Sequence, residues 1–207
     1  MLLSAFYKPL LASLHLIGGA VASPTKGADI SIDGDESGAL HSLLERAVSV
    51  EQQASLQLLN EARAGIKTKP SIPPLVWDTS LEAGALQWAQ ALAKDATFAH
   101  SPQGERPGLG EALFHSSDWQ NTGSAPDLIM KAVNSWLLQS RAFRPAPGNV
   151  FTLDLYKQGV GFFTQCVWRD TTRVGIGAAK YSKNGGTMWV VVARFSPAGN
   201  FIGRKIY

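Results

Sequence analysis

The chain has 207 residues, 45% of them hydrophobic and 17% charged, and 19 basic against 16 acidic side chains leave a formal net charge of +3. That balance describes a globular protein with enough chain for one sizeable core, and it excludes a disordered or low-complexity chain. The basic residues are scattered, with no run of four or more, so a nucleic-acid-binding stripe is excluded as well.

The first residues read as a targeting segment. Lys8 precedes an apolar stretch from Leu10 to Ile17, and Ala20-Val21-Ala22 forms an A-x-A cleavage pattern. Residues 1–22 are therefore expected to be a signal peptide, and the protein to be secreted and extracellular. An uncleaved anchor is the other reading, although Pro9 and His15 interrupt the stretch. No other segment approaches the roughly 18 apolar residues of a transmembrane helix. Residues 23–48 open polar and acidic and read as a linker or propeptide that ends in the start of a helix. One domain is expected over 49–207.

From Ala39 to about Gly65 the periodicity is helical, with Leu40, Leu43, Leu44, Leu58, Leu59 and Ala62 on the apolar stripe. Pro70, Pro73 and Pro74 then enforce an extended connection. Thr79 and Glu82 stand at capping-box spacing before a helix whose face carries Leu81, Ala85, Trp88, Ala89 and Leu92. A short strand is expected near Gly110 to Phe114. A third helix is expected after Ser124, burying Ile129, Ala132, Val133, Trp136 and Leu137. The last third is rich in β-branched and aromatic residues. Strands are predicted over Val160–Trp168, Arg173–Tyr181 and Thr187–Phe195, the last two joined by an Asn184-Gly185 type I′ turn. Helices first and strands later predict an α+β fold.

The chain carries no G-x-S-x-G elbow, HExxH motif, Walker loop or EF-hand loop, and Gly108-Leu109-Gly110 is a lone GxG. Cys166, the only cysteine, excludes an internal disulfide and a CxxC motif. Within GFFTQCVW it reads as a small buried hydrophobe, with a reactive thiol or an intermolecular bridge as the other readings. Of the four histidines, His15 goes with the leader and His41 reads as solvated, whereas His100 and His115 flank Glu111.

Five segments then match one family in order. LNEARAG, with Asn60 and Arg63, resembles the opening His-Asn-x-x-Arg helix of the CAP superfamily, which includes cysteine-rich secretory proteins, venom antigens and class-one pathogenesis-related proteins. IPPLVWDTSLEAGALQWAQALA resembles its Pro-x-Leu-x-Trp-Asp segment and Trp-Ala-rich helix. FAHSP with GLGEALF, GFFTQCVW, and VVVARFSPAGNFIG resemble the cavity segments and the two signature motifs. The resemblance implies a three-layer α-β-α sandwich around a central, mainly antiparallel sheet. The absence of the usual disulfide cysteines is more similar to fungal or microbial members.

The resemblance also implies a cavity lined by two histidines and two acidic residues. His100 and Glu111 match two of these positions, while Gln139 and Phe162 stand where the family has a glutamate and a histidine. Phenylalanine has no lone pair, and one His with one Glu is too small a donor set for firm zinc binding. No metal, cofactor or catalytic residue is therefore expected, and the protein is read as a binding module rather than an enzyme. His115 is the one candidate substitute ligand. A structural hydrogen bond between two loops is an equal reading of the His100–Glu111 pair. The family further implies sterol or fatty-acid binding through an apolar loop, matched here by Phe143, Val150, Phe151, Leu153, Leu155 and Tyr156; the other reading is that these side chains simply pack on the core. An extracellular protein partner, as for an effector or defence-type protein, is the alternative.

Overall fold

The computed structural model describes residues 50–118 and 125–207, so the predicted leader, the linker, the helix before Val50, His15 and His41 lie outside the described residues. Helices α1 (Val50–Gly65), α2 (Thr79–Asp95) and α3 (Ala125–Leu138) surround a four-stranded sheet of β1 (Val76–Trp77), β2 (Gly110–Asp118), β3 (Arg173–Lys183) and β4 (Gly186–Ser196). Two short helices, α4 (Leu153–Lys157) and α5 (Gly161–Cys166), fill the connection from α3 to β3. The strand order is β1-β3-β4-β2, antiparallel except for the short parallel β1–β3 pair.

Alternation along β4 builds the three layers, because successive side chains of a strand point to opposite faces. Val190 and Val192 pack against Ala85, Ala89 and Leu92 of α2. Val191, Ala193 and Phe195 join the larger core with Leu59 of α1 and Ile129, Val133 and Trp136 of α3. The expected α-β-α sandwich is thus the observed one. Helix α2 lies unusually close to β3: a Cβ placed on Gly175 or Gly177 would come within 2.1 Å of Glu82 N or 2.4 Å of Leu86 N. Asn184 and Gly185 both hold positive φ, 52° and 78°, as the type I′ hairpin requires.

Three local expectations are corrected. Val160–Trp168 is not a strand; its centre is helix α5. A short apolar run cannot be assigned by periodicity alone, and here Gln139 Oε1 accepts the first-turn N–H groups of Phe162 (3.0 Å) and Phe163 (3.1 Å), which stabilises a helix start. Thr79 does not cap α2. Asp78 does, its Oδ1 accepting from Ser80 N and Leu81 N, which leaves Glu82 to accept from Trp77 Nε1 at 2.8 Å. The predicted strand near Gly110–Phe114 runs on to Asp118, paired along its whole length with β4.

Arg63 ties these layers together. It is 1% exposed. Its guanidinium donates to the carbonyls of Pro73 (2.7 Å), Cys166 (2.8 Å), Trp168 (3.0 Å) and Thr171 (2.8 Å). Burial lowers its pKa to about 10, so it stays charged at neutral pH. Asn60, one turn earlier, exchanges two hydrogen bonds with the backbone of Leu75. Cys166 is free and fully buried, its thiol pushed up to about 12 by burial, which matches the hydrophobe reading.

Candidate functional site

The site forms where the edge strand β2 meets the loop after α2 and the start of α5. Glu111 lies on β2 directly opposite Arg194 of β4 and is 8% exposed. Its Oε1 lies 2.7 Å from His100 Nδ1 and accepts from Ser101 N at 3.0 Å; its Oε2 accepts from the Ser101 hydroxyl at 3.0 Å. Arg194 Nη1 at 3.3 Å and Arg106 Nε at 3.8 Å complete the ionic surroundings. Burial by itself would raise the Glu111 pKa, but the hydrogen bonds from His100 and Ser101 and the charge of Arg194 more than offset it and hold it below the ordinary value. An ionised carboxylate only accepts, so His100 Nδ1 carries the shared proton and Nε2 is the outward nitrogen.

The direction of that shift sets a pH dependence. A carboxylate whose pKa is lower in the folded protein stabilises the fold fully above its unfolded value, and that contribution is lost as pH falls through the folded value. Glu111→Gln is expected to cost about 2 kcal/mol at neutral pH, with the wild-type and variant stabilities converging as pH falls through and below the ordinary carboxylate range. Urea unfolding across that range checks it; a constant difference between the two curves would show that Glu111 does not carry the acid sensitivity.

His100, Gln139 and Phe162 line one cleft of about 440 Å³ together with Tyr156, Gly159 and Gly161, while Glu111 sits behind His100. The Phe162 ring meets His100 edge-on at 6.1 Å between centroids and Trp136 at 6.4 Å. Trp136 Nε1 in turn donates to Leu113 O on the outer edge of β2 (2.9 Å). The four residues matched to the cavity thus come together. His115 does not join them; its ring meets that of Phe98 at 4.9 Å between centroids, tilted by 55°.

The apolar loop divides. Phe151 and Leu155 are each 1% exposed and belong to the core, and Phe143 and Val150 are half-buried. Leu153 and Tyr156, at 49% and 65% exposed, stand three residues apart on α4, and Tyr156 reaches the cleft. A short amphipathic helix explains the split, since residues three apart share a face.

Ser101 and Arg194 escaped sequence reasoning. Ser101, His100 and Glu111 are the residue types of a nucleophilic triad, but the Ser101 hydroxyl donates to the carboxylate and is buried. Activation needs the hydroxyl on the imidazole instead. Among the described residues, no three His, Cys, Asp or Glu side chains are grouped to hold a metal ion.

The chain is thus a three-layer sandwich with a buried glutamate paired to an exposed histidine at a sheet edge, behind a mainly apolar cleft. The family model described as "CAP: Cysteine-rich secretory protein family" matches residues 56–193, and the chain belongs to that family. It is 32% identical over 160 residues to a PR-1 type pathogenesis-related protein of Sambucus nigra, covering 75% of this chain and 83% of that one. Among solved structures, BmVAL-1 matches with a TM-score of 0.64 at 26% identity over 78% of this chain and 84% of that one. NaASP2 with Zn2+ matches with a TM-score of 0.62 at 26% identity over 79% and 88%. Among the described residues no helix is long and apolar enough to cross a membrane.

Proposed function

We propose that the protein is a secreted, non-enzymatic binding protein whose ligand is a small lipid or sterol held at the cleft beside Phe162 and Tyr156. The observation that carries this reading is the pairing of a ligand-sized cleft with exposed apolar side chains. Its volume of about 440 Å³ falls in the range of small-molecule sites. Tyr156 at its wall, Leu153 on the same helical face and Leu138, one residue before Gln139, are all exposed. His100, Gln139 and Lys157 give the cleft a polar side that suits a hydroxyl or carboxylate head. Secretion is supported by the A-x-A pattern that ends at Ala22.

The proposal includes no metal and no catalytic step. One structural neighbour is solved with Zn2+, but the donors of this chain do not fit that ion. Phe162 offers no lone pair, Gln139 Oε1 is committed to two backbone N–H groups, and Glu111 is buried among His100, Ser101 and Arg194.

Phe151 and Leu155 are unsuitable test positions because their truncation empties the core. The informative variants are Tyr156→Ala and Leu153→Ser. Full-length protein recovered from culture medium, its N-terminus read by mass spectrometry, is expected to begin at Ser23 and to bind labelled cholesterol or palmitate saturably. Each variant is expected to weaken binding by about tenfold with an unchanged melting temperature. Retention in the cell would remove the secretion reading, and absence of saturable binding the lipid reading. In the latter case, capture of a defined extracellular partner through Tyr156 would favour the protein-partner alternative.

A further inference from the structure

The exposed large apolar side chains are not scattered evenly. Of the nine among the described residues, four fall in two short segments: Leu153 and Tyr156 of α4, and Phe201 and Ile202 after β4. The two segments lie side by side. Phe151 N donates to Arg204 O at 2.8 Å, Gly203 N donates to Phe151 O at 2.9 Å, and Val150 pairs with Lys205 in an isolated antiparallel bridge. Leu153 follows Phe151 by two residues, so α4 begins beside the turn that carries Ile202.

That turn is held in place. Arg204 N donates to Phe201 O at 3.0 Å, and Gly203 has the positive φ, 84°, that a type II turn requires at its third residue. The Phe201 ring meets the buried Trp168 edge-on at 6.3 Å between centroids, and the Arg204 guanidinium lies 5.2 Å from the Phe201 centroid. Just before the turn, Asn200 Nδ2 donates to Gly161 O at 2.7 Å. Ile202 stands at the corner, 64% exposed, and joins neither hydrophobic core. Turn corners favour proline and small polar residues. An isoleucine displayed there on a fixed backbone contributes nothing to the fold and marks a contact surface.

The surrounding charge selects the partner. Lys157, Arg204 and Lys205 are all exposed, and Asp154 is the single acidic side chain in residues 150–160 and 198–207. A second copy docked by a two-fold axis would set these cations against themselves. An anionic bilayer takes both halves of the surface, with the cations at the phosphates and the apolar side chains just beneath them. We infer that this face docks on an anionic phospholipid surface, Ile202 and Leu153 entering the acyl boundary and Lys157, Arg204 and Lys205 lying at the headgroups. The inference is independent of the lipid reading, because Ile202, Arg204 and Lys205 line no part of the cleft at Phe162.

The test is flotation of the purified protein with phosphatidylserine–phosphatidylcholine vesicles, with pure phosphatidylcholine vesicles as the matched control. Binding to the anionic vesicles is expected at low salt, about tenfold stronger than to the control, and weakening as salt rises. Ile202→Ser is expected to weaken it about tenfold with an unchanged melting temperature. Lys205→Glu is expected to weaken binding to the anionic vesicles about tenfold and to leave the control as it was. Both variants are expected to match the wild type in the cholesterol and palmitate assay, whatever its result, which separates this face from the cleft. No flotation with anionic vesicles at low salt, equal affinity for the two vesicle types, or a folded Ile202→Ser variant that floats as the wild type does overturns the inference. So does a concentration-dependent dimer, found in place of flotation and abolished by Ile202→Ser, which would assign the face to a second copy of the chain.

Discussion

Arg63→Ala is expected to lower the free energy of unfolding by about 4 kcal/mol. Four carbonyls, from Pro73, Cys166, Trp168 and Thr171, converge on this one guanidinium. The variant leaves the buried carbonyls of Cys166 and Thr171 without this donor, leaves that of Trp168 with Thr171 N alone, and opens a cavity, since Arg63 is among the largest fully buried side chains. Among the described residues no carboxylate pairs with Arg63, so the loss is not that of a salt bridge and is expected to be insensitive to salt. Arg63→Lys keeps the charge but not the planar fork, and it is expected to recover less than half of the loss. Urea unfolding at neutral pH measures it. A loss under about 1 kcal/mol in Arg63→Ala would mean that the carbonyls find water and that the guanidinium is dispensable.

Arg63 also shows what the sequence could and could not disclose. Its place in the N-x-x-R helix motif was legible, but three of its four partners lie more than 100 residues away in the Cys166–Thr171 turn, a juxtaposition that only the fold creates. Elements with strong periodicity were readable: α2 and α3 from their apolar faces, the β3–β4 hairpin from Asn184-Gly185. The misread GFFTQCVW segment lacks any period, and its helical state depends on Gln139, a residue more than 20 positions away. The same limit applies to the site. His100, Glu111, Gln139 and Phe162 were found because each falls on a motif, whereas Arg194 becomes a partner of Glu111 only once β2 and β4 pair in one register. In the apolar loop the composition was visible but the facing was not: Leu155 turns inward and Leu153 and Tyr156 outward because they share a short helix, while Phe151, buried just before it, is held by backbone hydrogen bonds to Gly203 and Arg204.

The double variant Phe162→His/Gln139→Glu is expected to acquire zinc affinity at least about 100-fold above that of the wild type. The geometry for it is present. Phe162 and His100 face each other across the cleft with ring centroids 6.1 Å apart, a separation that lets two imidazoles approach one ion. His100 is already oriented: the buried Glu111 carboxylate holds Nδ1, leaving Nε2 toward the cleft. A carboxylate–histidine pair of this kind is how metal-binding histidines are usually fixed. A glutamate at 139 can still accept from Phe162 N and Phe163 N, as Gln139 does, so the start of α5 is preserved while a balancing charge is added beside the ion. Calorimetry is expected to show no saturable zinc binding by the wild type up to about 0.1 mM and micromolar binding by the double variant, abolished by adding His100→Ala. Micromolar binding by the wild type that disappears in His100→Ala would mean that this cleft assembles a zinc site from donors other than a second imidazole. A double variant that folds but binds no better would mean that backbone placement, and not the identity of residues 139 and 162, is what keeps the cleft free of metal.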